Sequence, residues 1–158
     1  MNLWRIAADT RKHRADDLSG AGAAASPGRW NEHGQAVLYT APSIAIAVLE
    51  TAAHIDDAGL PLNKYLVRIE LPQAAWAARE ELKLEDLPPT WAAIPAGSAS
   101  VRIGADWFRA GSSPVLVVPS VIVPEESATV INPAHPLAAG MTATVIRLFE
   151  YNRLFRMP

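Results

Sequence analysis

One carboxylate sits in the apolar stretch "APSIAIAVLETAA": from Ala41 to Ala53, Glu50 is the single ionisable side chain. Ile44, Ile46, Val48 and Leu49 fall on several faces of any helix formed there, and a helix apolar almost all round is a buried one. A carboxylate on such a helix is costly unless it is paired, hydrogen-bonded or turned into a cleft. A structural ion pair or a narrow exposed stripe would account for Glu50 equally well. Arg29, in "SPGRWNEHG", stands among small residues. A guanidinium there can grip a phosphate bidentately while the small neighbours let backbone approach a ligand; a solvated loop arginine is the plainer account. Trp30 either walls such a site or anchors the loop. Tyr39, in "AVLYT", either stacks on a ring or packs in a strand, and packing is the commoner case. Ser120 follows Pro119 between two valine-rich runs, so a bulge or strand end there aims a hydroxyl at one partner, a ligand or its own backbone. It has no G-x-S-x-G context that would make it a nucleophile. Asn132, in "INPAHP", reads as a turn residue or a ligand contact.

These residues must be held by a mixture of strands and helices. "LWRIA", Leu3 to Ala7, reads as a first strand, and Asp9 to Gly34 is a long loop without a period. A loop of that length in a compact domain is usually functional or disordered. "AVLYTA" predicts a strand, and "PSIAIAVLETAAHI" a helix with Ser43 as N-cap. "KYLVRIELP" is a clear strand; Ala74 to Leu87 reads as partly helical until "LPPTW" breaks it. "SASVRIGADWFRAG" predicts a helix closed by Gly111. "SPVLVVPSVIVPEE" is an apolar strand interrupted at Pro119-Ser120, and "MTATVIRLFEYNRLF" supplies a last strand with Val145, Leu148 and Phe149 as core candidates. No regular βαβ rhythm, G-x-G-x-x-G or P-loop is present. The expected class is α+β with a mixed or antiparallel sheet, in a single domain over residues 1–158.

Composition narrows the function. A chain of 158 residues, half of them apolar, can build one ordinary core. Fourteen Lys and Arg against sixteen Asp and Glu give a net charge of −2 with no basic block, which argues against nucleic acid as a partner. The absence of cysteine excludes disulfides, thiolate metal sites and a cysteine nucleophile. His13, His33, His54 and His135 lack metal-ligand spacing, so no metal is expected. No signal segment opens the chain and no apolar run approaches a membrane span, so a soluble cytoplasmic protein is expected.

Taken in order, "GRWN" with a following glycine, "VLYT", a glutamate on the next helix, "VPSVIVPEE" and "INPAHP" resemble the RES domain. The resemblance runs from "WRI" to "RLF", nearly the whole chain. The family is named for its Arg, Glu and Ser and supplies the toxin of Xre–RES toxin–antitoxin pairs. It implies a fold related to ADP-ribosyltransferases and an enzyme that depletes NAD⁺ by cleaving the nicotinamide–ribose bond, with inorganic phosphate or water as acceptor. NAD⁺ is then a substrate, and no resident cofactor is implied. On the matching positions the family Arg falls on Arg29, the Tyr on Tyr39, the Glu on Glu50 and the Ser on Ser120; Arg5 and Asn132 match less strongly marked positions. The resemblance gives Glu50 and Arg29 catalytic roles. Glu50 would stabilise the cationic ribose, Arg29 with Arg5 would hold phosphate groups, Tyr39 would stack on nicotinamide, and Ser120 would hydrogen-bond the amide or ribose. It also implies a helix-turn-helix antitoxin of the Xre type as partner, and is compatible with a homodimer within that complex. Two rivals stand beside it: transfer of ADP-ribose onto a protein, and an inactive module that only binds a partner.

Overall fold

The computed structural model describes residues 1–55 and 59–155, and places seven strands and five α-helices along them. Strand β1 (Asn2–Ala8) pairs antiparallel with β3 (Lys64–Glu70), which pairs antiparallel with β7 (Thr142–Leu148), giving a sheet ordered β1-β3-β7. A second sheet is ordered β2-β6-β5-β4, from β2 (Leu38–Thr40), β6 (Ser127–Ile131), β5 (Val115–Pro119) and β4 (Glu80–Glu81); only β4 runs parallel to its neighbour. The two sheets are stitched together where Trp4 and Ala41 exchange both backbone hydrogen bonds at 2.8 Å. The expected α+β class with mixed and antiparallel sheets is what the chain adopts. No helix among the described residues is long and apolar enough to cross a membrane.

The helices are α1 (Ala21–Ala25), α2 (Ile44–Ala52), α3 (Gln73–Ala77), α4 (Ser98–Ala110) and α5 (Asn152–Phe155). Helix α2 begins as the sequence predicts: the Ser43 Oγ accepts the N–H of Ile46 at 3.2 Å, satisfying one of the free donors of the first turn. Its Ile46 and Ala47 are buried in a cluster with Ile6, Ala41, Leu66 and Tyr151, which fixes the helix across β1. Helix α4 ends at Gly111 in the left-handed conformation (φ 58°), as its closing glycine predicts. Its Gly104 lies directly against the Trp30 carbonyl, so close that a Cβ has no room.

The segment Ala74 to Leu87 is helical in part, as expected, in α3 and a 3-10 turn at Leu84–Asp86, with β4 between them. Three other local expectations change. The long loop from Asp9 to Gly34 contains α1, and side-chain bonds to backbone tie down much of the rest. Strand β6 was not expected, because "SATVI" is short and half polar; its Thr129 is nevertheless fully buried and bonded to Thr40. Val145 and Leu148, expected in the core, are 40% and 44% exposed, because none of the three buried clusters reaches their side chains. Phe149 does pack inward, edge-on to Tyr151 at 4.9 Å.

Candidate active site

β1, β2, α2 and the loop between Asp9 and Gly34 surround a cavity of about 1170 Å³. Arg5, Arg29, Tyr39 and Glu50 all line it; Ser120 and Asn132 do not.

Glu50 reaches the cavity because Ala47, Glu50, Thr51 and His54 follow helical spacing and share one face. Three carboxylates line the cavity among the described residues. Asp17 accepts the N–H and the O–H of Ser19, both at 2.8 Å, and Glu32 pairs with Arg109 at 2.8 Å. Glu50 differs: its Oε1 is buried and has no hydrogen-bond partner. An enclosed acceptor without a donor is expensive, and folded proteins rarely keep one that nothing ever fills.

Arg29 is gripped from behind. Its Nη1 donates to the carbonyls of Trp91 at 2.8 Å and Ala93 at 2.9 Å, and Trp91 is itself fixed by stacking on Trp30. Burial lowers the Arg29 pKa, while the charge of Glu50 and then Tyr39 act the other way. The two side chains line the same cavity, and no ion pair joins them among the described residues. Arg5, on β1, donates from Nη1 to the Asp17 carbonyl at 3.3 Å, and burial lowers its pKa against the opposing charge of Asp17. Lys64 is lowered too, by burial first and by Arg5 second. Lys64 does not line the cavity, but Arg5 and Arg29 do, and together they suit an anion.

The Tyr39 ring lines the cavity, but its hydroxyl is spent on the loop. It donates to Asn31 Oδ1 at 2.7 Å and accepts the Trp30 N–H at 2.9 Å. Burial raises its pKa, offset in part by the Trp30 N–H and the Arg29 charge, which keeps it a neutral phenol. Gly28 packs on this ring: a Cβ there would lie 2.7 Å from Cζ of Tyr39, so the small neighbour of Arg29 serves the tyrosine. Asn31, fully buried, ties the loop together. Its Nδ2 donates to the carbonyls of Ala23 at 2.9 Å and Gln35 at 3.1 Å, and its Oδ1 also accepts the Gly28 N–H at 2.8 Å. Gln35 in turn donates to the Ala105 carbonyl of α4 at 3.2 Å.

Ser120 and Asn132 have backbone tasks. The Ser120 Oγ accepts from the N–H groups of Ile122 and Val123 at 3.2 and 3.1 Å, closing the turn that brings Val121 and Ile122 to the cavity. Asn132 Oδ1 accepts the Ala134 N–H at 3.1 Å in the turn after β6. Sequence reasoning missed Asn31, which stands in the same "GRWN" run, and Thr51 and His54, which helical spacing from Glu50 would have found. His13 and Asp17, also on the cavity wall, carry no local signal in the loop.

The RES domain model matches residues 2–152. The chain is 50% identical to the "Prs ADP-ribosylating toxin" of Sphingobium sp. (strain YBL2), covering 96% of this chain and 94% of that one. It is 36% identical to "Toxin Res" of Yersinia enterocolitica, covering 85% and 86%, and 35% identical to "Toxin Res" of Pseudomonas putida, covering 98% and 100%. The chain belongs to the RES family.

Proposed function

We propose, with RES membership as the premise, that this chain is a toxin enzyme that consumes NAD⁺ by breaking the bond between nicotinamide and ribose. The observation that carries this reading is the buried Glu50 oxygen left without a donor in a cavity that Arg5 and Arg29 also line. In the reaction the C1″–N bond breaks, its electron pair stays with nicotinamide, and nicotinamide leaves as a neutral base. Positive charge then grows on the ribose. The Glu50 carboxylate accepts hydrogen bonds from ribose hydroxyls and stabilises that charge, a contribution realised chiefly in the transition state. Glycoside hydrolases need a second carboxyl group to protonate a poor leaving group. Nicotinamide needs no proton, so one free carboxylate suffices.

Arg29, held by two carbonyls, and Arg5 bind the pyrophosphate or an acceptor phosphate. The Tyr39 ring offers a face to nicotinamide while its hydroxyl fixes the Arg29 loop. Ser120 acts by shaping the turn that carries Val121 and Ile122 to the cavity, and Asn132 by shaping the turn after β6. An enzyme of this kind harms its own cell, and an Xre-type antitoxin would hold it in check.

The acceptor is inorganic phosphate or water in the reading that the sequence resemblance implies. The 50% identical relative, named for ADP-ribosylating Prs, favours a second reading in which a Prs protein takes the ADP-ribose. One experiment separates them: purified chain with NAD⁺ labelled in its adenylate half, alone, with inorganic phosphate, and with purified Prs. ADP-ribose-1″-phosphate marks phosphorolysis, free ADP-ribose hydrolysis, and labelled Prs protein transfer. Intact NAD⁺ in all three, with folded protein, overturns the enzyme reading.

A further inference from the structure

The cavity that Glu50 enters has two kinds of wall. Its charged side chains and histidines all come from the N-terminal part of the chain, up to His54, with Arg5, Arg29 and Glu50 among them. Among the described residues, every one after His54 that lines it is apolar, including Ile94, Pro95, Val101, Val118, Ile122 and Ala128. Strand order sets the two walls apart. β1 meets β2 at the Trp4–Ala41 bridge, and the second sheet continues through β6 to β5. From Arg5 on β1 to Val118 on β5 the floor therefore runs about 14 Å, three strand spacings of about 4.8 Å. The apolar end is also short of free polar groups. Arg29 takes the Trp91 and Ala93 carbonyls just before Ile94, and Ser120 takes the N–H groups of Ile122 and Val123. Ile94 is 84% exposed and Ile122 38%, so two large apolar side chains at this end of the cavity remain in contact with water.

On the NAD⁺ reading of the site, on which this rests, we propose that the apolar end is the subsite for the adenine base and holds it by shape, not by hydrogen bonds. Glu50 fixes the direction. Its helix packs through Ile46 and Ala47 on Ile6 of β1 and on Ala41, so the bond that breaks lies toward the β1 end. Nicotinamide is joined directly to the ribose at that bond and stays with it, beside Tyr39 on β2. The ring that reaches β5 is the one beyond the pyrophosphate. Arg29 stands on that path, fastened to the carbonyl of Ala93, the residue before Ile94. A planar base laid against Ile94, Val101 and Ile122 takes their apolar surface out of water. Such a pocket reads size and outline, whereas a site that hydrogen-bonds a substrate group rejects an analogue lacking it by about 10⁴-fold or more. The chain should therefore scarcely distinguish adenine from hypoxanthine, which has the same two fused rings and a carbonyl in place of the amino group.

Steady-state kinetics with three substrates test this: NAD⁺, its hypoxanthine analogue, and nicotinamide mononucleotide, which lacks the adenylate half. Wild-type kcat/KM should agree within about threefold for the two dinucleotides, and KM for the mononucleotide should be higher by about tenfold or more. Ile94→Asp and Ile122→Asp should each raise KM for both dinucleotides about tenfold without lowering kcat. With the mononucleotide both should match the wild type, since it has no base to place there. Because both side chains are exposed, the circular dichroism melts of the variants should also match. A preference of about tenfold or more between the dinucleotides overturns the proposal. So do variants that impair the mononucleotide as strongly as NAD⁺, which would put nicotinamide at the apolar end. Failure of the enzymatic reading looks different. A chain that cleaves none of the three yet binds ADP-ribose in titration calorimetry, about tenfold more weakly with Ile122→Asp, keeps the subsite. One that binds no ADP-ribose, or binds it equally well with Ile122→Asp, loses it.

Discussion

Glu50 and Ser120 are both polar groups in apolar surroundings, and they solve that problem in opposite ways. On the cavity wall, Glu50 keeps a buried oxygen that no protein donor reaches. In the turn after β5, the Ser120 oxygen is saturated by two backbone N–H groups. An unfilled polar group is a cost carried for a ligand, whereas a filled one is part of the scaffold. The difference is testable, because substitution should separate activity from stability in the first region and couple them in the second. Glu50→Gln keeps the shape and removes the charge. It should lower the rate of NAD⁺ cleavage by about 10²–10³-fold, the usual effect of losing one electrostatic contact to a transition state. Its thermal melt should be unchanged or slightly raised, since an unpaired buried charge disappears. A variant that unfolds earlier while the surviving folded fraction cleaves NAD⁺ normally would place Glu50 with Ser120 among the scaffold residues.

Asn31 tests the reverse. It lines the cavity, yet its side chain is spent on joining α1, Gly28, Gln35 and the Tyr39 hydroxyl. Asn31→Ala removes several buried bonds at once and strands the Tyr39 hydroxyl and the Gly28 N–H, at a cost of about 3 kcal/mol. Denaturant unfolding should register that loss, and activity should fall only as far as the Arg29 loop loosens.

The contrast also explains what was legible in the sequence. Glu50 stood out because a charge in an apolar helix breaks a pattern, and Ser43 and Gly111 stood out because helix ends use local chemistry. Arg5, Arg29, Tyr39 and Glu50 come from separate segments, and the ordered likeness to the RES family, rather than periodicity, grouped them ahead of the fold. What stayed hidden is set by long-range contacts. The loop from Asp9 to Gly34 is ordered by side-chain bonds to backbone, which leave no period. The polar residues of β6 find partners only across the sheet. Val145 and Leu148 carry the hydropathy of a core strand, and nothing in their spacing says that no buried cluster covers them.

A smaller effect is expected at Ser120. Ser120→Ala frees the N–H groups of Ile122 and Val123, one of which is close to solvent, so unfolding should become easier by about 1–2 kcal/mol. NAD⁺ cleavage should fall less than tenfold, with the loss in KM as the turn carrying Val121 and Ile122 shifts. If stability holds and kcat collapses instead, the Ser120 hydroxyl touches substrate, as the family resemblance first suggested.

The smallest effect is expected where the two regions overlap, at Asp17, which lines the cavity yet spends its carboxylate on the scaffold. Burial pushes its pKa up, but the backbone and side chain of Ser19, with the charges of His13 and Arg5, outweigh this and hold it below the ordinary carboxylate value. A depressed folded pKa stabilises the protein at pH values above the unfolded pKa of about 3.9, and the benefit disappears as pH falls through the folded value. Asp17→Asn should therefore melt slightly below the wild type at pH 7, with the gap closing in acid. Arg5 should stay in place, because it bonds the Asp17 carbonyl, which the variant retains. KM for NAD⁺ should then hold at neutral pH. A gap in melting temperature that persists in acid would show that Asp17 acts through packing and not charge, while a raised KM at neutral pH would move its carboxylate from the scaffold to the substrate.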